Sequence, residues 1–131
     1  MRYLLDTNMC IYALQGKSQS LTKRIISSRK DDIAISIITV AELEYGVAKS
    51  AQSEANRYTL MKFLSPFQLL EFSMEDAFVY GTIENQLRKK GRPIDPFDTL
   101  IAAQAIYRKL IIVTNDKHFL QVPSLKYENW L

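Results

Sequence analysis

Five carboxylates occupy positions from which a folded chain could do chemistry: Asp6 in "LLDTN", Glu42 in "TVAELEYG", Asp95 and Asp98 in "GRPIDPFDTLIAAQA", and Asp116 in "VTNDKHF". Each borders an apolar run, so each belongs at the mouth of a buried element. Carboxylates gathered in a half-dry crevice repel one another, and a buried charge is costly unless paired. Such a set calls for cations, yet no Lys or Arg adjoins Asp6 or Glu42 and only Lys117 follows Asp116. Oxygen-only donors suit a hard ion such as Mg²⁺ or Mn²⁺. The single histidine, His118, and single cysteine, Cys10, argue against zinc, and His118 reads as a surface residue.

Local alternatives compete with this reading. Asp95 followed by Pro96 is a good helix N-cap, with Asp98 then in the third helical position, where the helix dipole favours an acid. Thr39 and Glu42 have the spacing of a capping box, although a helix beginning straight after Ser36 would carry Glu42 into its second turn and void that role. Asp98 also opens a helical stripe with Ile101, Ala102 and Ala105 that is otherwise fit for burial. A carboxylate leading an inward stripe needs a partner.

The elements that must position these residues follow from periodicity. Short apolar runs at 3–5, 33–35, 67–72 and 110–114 predict strands, and segments at 8–15, 19–30, 37–49, 52–64, 74–90 and 96–108 predict helices. This alternation predicts an α/β fold with a parallel sheet. The carboxyl ends of parallel strands share one edge, where such folds bind ligands. That edge receives Asp6 with Thr7 and Asn8, Ser36, and Thr114 with Asn115 and Asp116. The helix at 96–108 reaches it only if the entering chain crosses the top of the sheet, which periodicity leaves open. In segment 74–90, Ala77, Phe78, Gly81, Ile83 and Leu87 suggest the inward stripe, with Gly91 closing the helix. In segment 52–64, Tyr58, Met61, Phe63 and Leu64 could cover either the core or a partner, and core packing is the expectation.

The 131 residues, 47% hydrophobic and 24% charged, fit one globular domain spanning 1–131. A lone cysteine precludes an internal disulfide, and the chain has neither a membrane-spanning run nor a signal-peptide pattern, so a cytoplasmic protein is expected. The net charge of +3 hints at an acidic partner. Basic clusters lie at "RKKGR", residues 88–92, and "KRIISSRK", residues 23–30.

Taken together and in order, "LLDTNMCIY", "ISIITVAELEYG", "GRPIDPFDTLIAAQA" and "LIIVTNDKHF" resemble the PIN-domain ribonucleases, and within them the VapC toxins of bacterial toxin–antitoxin pairs. The resemblance implies a three-layer α/β/α sandwich with a small parallel sheet. It implies an acidic quartet of Asp6, Glu42, Asp98 and Asp116, with Asp6, Asp98 and Asp116 as metal ligands and Glu42 activating water. Thr7, Asn8, Ser36, Thr114 and Asn115 are implied to support them, and Arg88, Lys89, Lys90 and Arg92 are expected to hold RNA phosphates. It further implies Mg²⁺ or Mn²⁺ as cofactor, RNA, and tRNA in particular, as substrate, a VapB-like antitoxin as partner, and a homodimer that forms a larger assembly with the antitoxin. Asp95 departs from the family pattern and is assigned to capping. Two other readings stand beside this one. A haloacid-dehalogenase-type phosphatase wants Asp-x-Asp after the first strand, where this chain has Asp-Thr-Asn. A PIN-like RNA-binding module without activity would have no need to keep all four acids.

Overall fold

Five short strands form one parallel sheet in the computed structural model, which describes residues 1–131, Lys30 by its backbone alone. The spatial order is β3 (Gln68–Leu70), β2 (Ile33–Ser36), β1 (Tyr3–Leu5), β4 (Ile111–Val113) and β5 (Tyr127–Glu128). Six helices connect them: α1 (Thr7–Gln15), α2 (Gln19–Ser27), α3 (Ile37–Ala48), α4 (Ser53–Leu64), α5 (Met74–Lys89) and α6 (Pro96–Tyr107). Among the described residues no helix is long and apolar enough to cross a membrane.

Both faces of the sheet are covered, which is why its strands read as unbroken apolar runs. Leu4, Ala34, Leu70 and Ile112 point to one face and pack with Ile83 and Leu87 of α5 and Ile101 and Ala105 of α6. Their neighbours Tyr3, Leu5, Ile33, Ile35 and Val113 point to the other, against Met9, Leu21, Leu43 and Leu60 of α1 to α4. The period of two thus divides the core into two layers and yields the expected α/β/α sandwich. Leu5 is in register with Ile35 on one side and Val113 on the other. Asp6, Ser36 and Thr114 therefore leave three adjacent strands at one level.

Several local expectations are corrected. The helix expected over 19–30 ends at Ser27, because Ser28 turns extended and both its N–H, at 3.1 Å, and its hydroxyl, at 2.7 Å, donate to the Arg24 carbonyl. The strand expected over 67–72 narrows to Gln68–Leu70. β5, too short to show a period, is held by backbone bonds from Ile112 to Lys126 and from Thr114 to Glu128, both 2.9 Å. On α5 the inward stripe is Asp76, Ile83 and Leu87, whereas Ala77, Phe78 and Gly81 are exposed. Asp76 tolerates complete burial because Arg108 pairs with it and it completes a capping box with Ser73. On α4 the buried Leu60 is joined by Phe63 and Leu64, whereas Tyr58 and Met61 lie on another face, in solvent. Gly91, at φ 68°, does end α5, while the following Arg92 N–H returns to the Leu87 carbonyl at 2.9 Å.

Candidate active site

Asp6, Glu42, Asp95 and Asp98 line one cleft at the carboxyl edge of the sheet. Asp6 leaves β1 and caps α1: one carboxylate oxygen accepts the Met9 N–H at 2.8 Å, and the other accepts the Thr114 hydroxyl at 2.5 Å. Thr114 in turn accepts the Asp116 N–H at 2.9 Å, so the exits of β1 and β4 are tied through one threonine. At 2% exposure Asp6 is nearly dry. Burial, reinforced by the charges of Asp116 and Glu42, outweighs its two hydrogen bonds and pushes its carboxyl up to about 6.

Glu42 is placed by where α3 begins. Ser36 caps that helix by accepting the Ile38 N–H at 3.0 Å, which puts Glu42 in the second turn and excludes the capping box with Thr39. The Thr7 hydroxyl lies 2.7 Å from Glu42 Oε1 and 3.1 Å from Thr39 Oγ1. Having one proton to give, it donates to the carboxylate, the stronger acceptor. One Glu42 oxygen is thereby held in place.

Asp98 enters through α6. Asp95 accepts the Phe97 N–H at 2.9 Å and Pro96 takes the first helical position, as their order predicts. Ile101, Ala102 and Ala105 are buried beneath Asp98. Burial first, and then the charges of Asp95, Asp116, Glu42 and Asp6, push the Asp98 carboxyl up to about 7, with no hydrogen-bond donor to offset them. Asp116 caps the 3₁₀ turn Lys117–Gln121, accepting the His118 N–H at 2.9 Å, and the exposed His118 ring places Nδ1 2.9 Å from the same oxygen.

The other residues expected here divide. Thr7 and Thr114 each hold a carboxylate, and Asn8 lines the cleft. Ser36 lies one layer deeper, where its hydroxyl donates to the Gln104 side chain, which reaches on to the Glu71 carbonyl at 3.2 Å. Asn115 is exposed. Arg88, Lys89, Lys90 and Arg92 are exposed as well, but none of them lines the cleft. Arg88 pairs with Glu84, while Lys90 and Arg92 border a depression with Leu120 and Gln121. In the stripe at 23–30, Arg24 is engaged by Glu128 and the rings of Tyr3 and Trp130, and the Lys30 side chain lies outside the described residues. Four lining residues were not anticipated: Ile11 on α1, and Tyr45, Gly46 and Lys49, which follow Glu42 at helical spacing. That spacing along α3 was the signal available for the last three.

Among the described residues no three acidic, histidine or cysteine side chains converge closely enough, as they stand, to grip one ion. Asp6 and Glu42 turn toward their threonines, and among the described residues no Lys or Arg forms an ion pair with Asp6, Glu42 or Asp98. The donor set nevertheless suits a hard divalent cation, being made of carboxylate oxygens alone. A cation there would offset the burial, and the repulsion added to it, that together hold Asp6 and Asp98 above the ordinary carboxylate range.

A family model described as PIN domain matches residues 3–125. The chain is 41% identical to Ribonuclease VapC2 of Rickettsia felis, covering 99% of this chain and 98% of that one. It is 34% identical to the tRNA(fMet)-specific endonuclease VapC of Salmonella typhimurium, again over 99% and 98%. Among solved structures it is similar to a chain of DNA-bound VapBC from Salmonella typhimurium, with a TM-score of 0.96, 33% identity, and coverage of 100% of this chain and 99% of that one.

Proposed function

The chain belongs to the PIN-domain family, and on that premise we propose that it is a VapC-type endoribonuclease that cuts RNA with a hard divalent ion, Mg²⁺ or Mn²⁺, in its acidic cleft. The observation that carries the reading is the meeting of Asp6 from the exit of β1, Glu42 from the second turn of α3 and Asp98 from the first turn of α6 on one cleft. Full-length likeness to named ribonucleases supports it.

Asp6, Asp98 and Asp116 would hold the ion. When bound, it supplies Lewis-acid activation of water and neutralises charge on the phosphate oxygens. Glu42, with one oxygen fixed by Thr7, keeps the other free to accept a proton from the water that attacks phosphorus. The bond from phosphorus to the ribose 3′ oxygen breaks, leaving 3′-hydroxyl and 5′-phosphate ends. Thr114 orients Asp6, and Arg88, Lys89, Lys90 and Arg92 offer positive charge to phosphates running past the cleft.

The substrate class is tRNA and the partner a VapB-like antitoxin, a reading supported by a relative named as a tRNA(fMet)-specific endonuclease and by solved VapBC complexes. The protein acts in the cytoplasm as a homodimer that enlarges when the antitoxin binds. Incubating the purified chain with bulk tRNA and Mg²⁺ or Mn²⁺, beside Asp6→Asn, tests this reading. Cleavage by the parent, lost with EDTA and in the variant, is expected. Equal cleavage by both chains, or none by either, would defeat it.

A further inference from the structure

Among the residues lining the acidic cleft there is one cation, Lys49. Lys49 shares that cleft with four carboxylates, and an ammonium within reach of one of them would be drawn into an ion pair. Instead, among the described residues, Lys49 has no acidic partner, and its Nζ lies 5.1 Å from the centroid of the Tyr45 ring. Tyr45 is 67% exposed, far more than core packing would leave it. Between them is Gly46, where an added Cβ would meet nothing within 4 Å, so the helix surface is open there. Glu42, Tyr45, Gly46 and Lys49 are spaced i, i+3, i+4 and i+7, one face of α3 running away from the acids.

A lysine closing a helix also offsets the helix dipole. That role would be served on any side of α3 and does not require a ring beneath the ammonium at the cleft. A second lysine lies over a tyrosine in the same manner, Lys62 over Tyr58 on α4 at 5.5 Å, but neither of those lines the cleft.

Resting on the ribonuclease reading, we propose that this face of α3 is the track for the nucleotide next to the cut. Lys49 takes the adjoining phosphate and Tyr45 stacks an unpaired base, as aromatic and cationic groups do along single strands. The phosphate and base are thus gripped beside the carboxylates rather than at the basic cluster 88–92.

The test is equilibrium binding of a fluorescein-labelled, unstructured oligoribonucleotide to the full chain in Ca²⁺, with cleavage in Mg²⁺ and Mn²⁺ followed alongside. Lys49→Gln is expected to weaken binding about tenfold and to lower the slope of log K against log salt by about 0.7, the loss of one single-strand phosphate contact. Lys49→Arg should restore both. Tyr45→Ala should weaken binding roughly 5- to 100-fold and Tyr45→Phe should behave like the parent. Lys62→Gln, the matched control, should change nothing. Parent-like affinity and slope in Lys49→Gln, equal loss in Lys62→Gln, or no binding by the parent overturns the track. A chain that never cuts RNA yet loses binding through Lys49 would defeat the ribonuclease reading and keep the track; a chain that cuts while Lys49→Gln binds normally does the reverse.

Discussion

Replacing Asp98 with asparagine should stabilise the metal-free protein, and should do so more as the pH rises. The Asp98 carboxyl stands at about 7 against an ordinary 3.8, chiefly through burial and then through four neighbouring acids. For a carboxyl raised in this way the folded state pays nothing below pH 3.8, where both states are protonated. The penalty grows as the pH rises toward 7 and is constant above it. At about 1.36 kcal/mol for each pKa difference of one, and with a discount for solvent screening of a carboxylate that is only partly buried, ionised Asp98 costs the fold about 3 kcal/mol at pH 8 and about 1 kcal/mol at pH 5. Asn keeps the shape without the charge, so Asp98→Asn should gain at most those amounts. For a chain of this length that is a rise in Tm of roughly 10 °C at pH 8. Thermal unfolding followed by circular dichroism in EDTA, at pH 5 and pH 8, measures both gains. Millimolar Mg²⁺ should then raise the Tm of the parent and not that of the variant, since ligand binding stabilises only the state that binds it. A variant less stable than the parent at pH 8, or a gain that ignores pH, would refute the claim that Asp98 is held charged at a cost in this cleft.

Other outcomes follow from single contacts. Thr7→Val removes the hydroxyl that holds Glu42 Oε1, and kcat/KM on tRNA should fall about 10- to 100-fold with little change in Tm. Asp76→Ala leaves the part-buried Arg108 without its partner and breaks the capping box of α5, and urea unfolding should show a loss of about 3 kcal/mol. Thr114→Val frees one oxygen of Asp6 and should push its carboxyl above the present value of about 6, moving the acid limb of the pH–activity profile upward.

The sequence by itself was enough for the strand–helix alternation, for the single edge receiving Asp6, Ser36 and Thr114, and for the cap formed by Asp95 and Pro96. These depend on periodicity or on contacts within a few residues, so the chain carries them locally. The tertiary structure alone decided which acids share a cleft and what holds each of them. The Thr7–Glu42 bond joins residues 35 apart, and Thr114–Asp6 joins residues 108 apart. Only strand register and helix packing bring such pairs together. The same limit hid Asp76, which looks like a surface acid at a helix start until Arg108, 32 residues on, meets it across two packed helices. It also sent Ser36 to Gln104 rather than to the acids, and turned Tyr45 and Lys49 toward the cleft. A capping carboxylate, a paired one and one left without a partner in a cleft are the same residue in sequence, and only the surrounding field tells them apart.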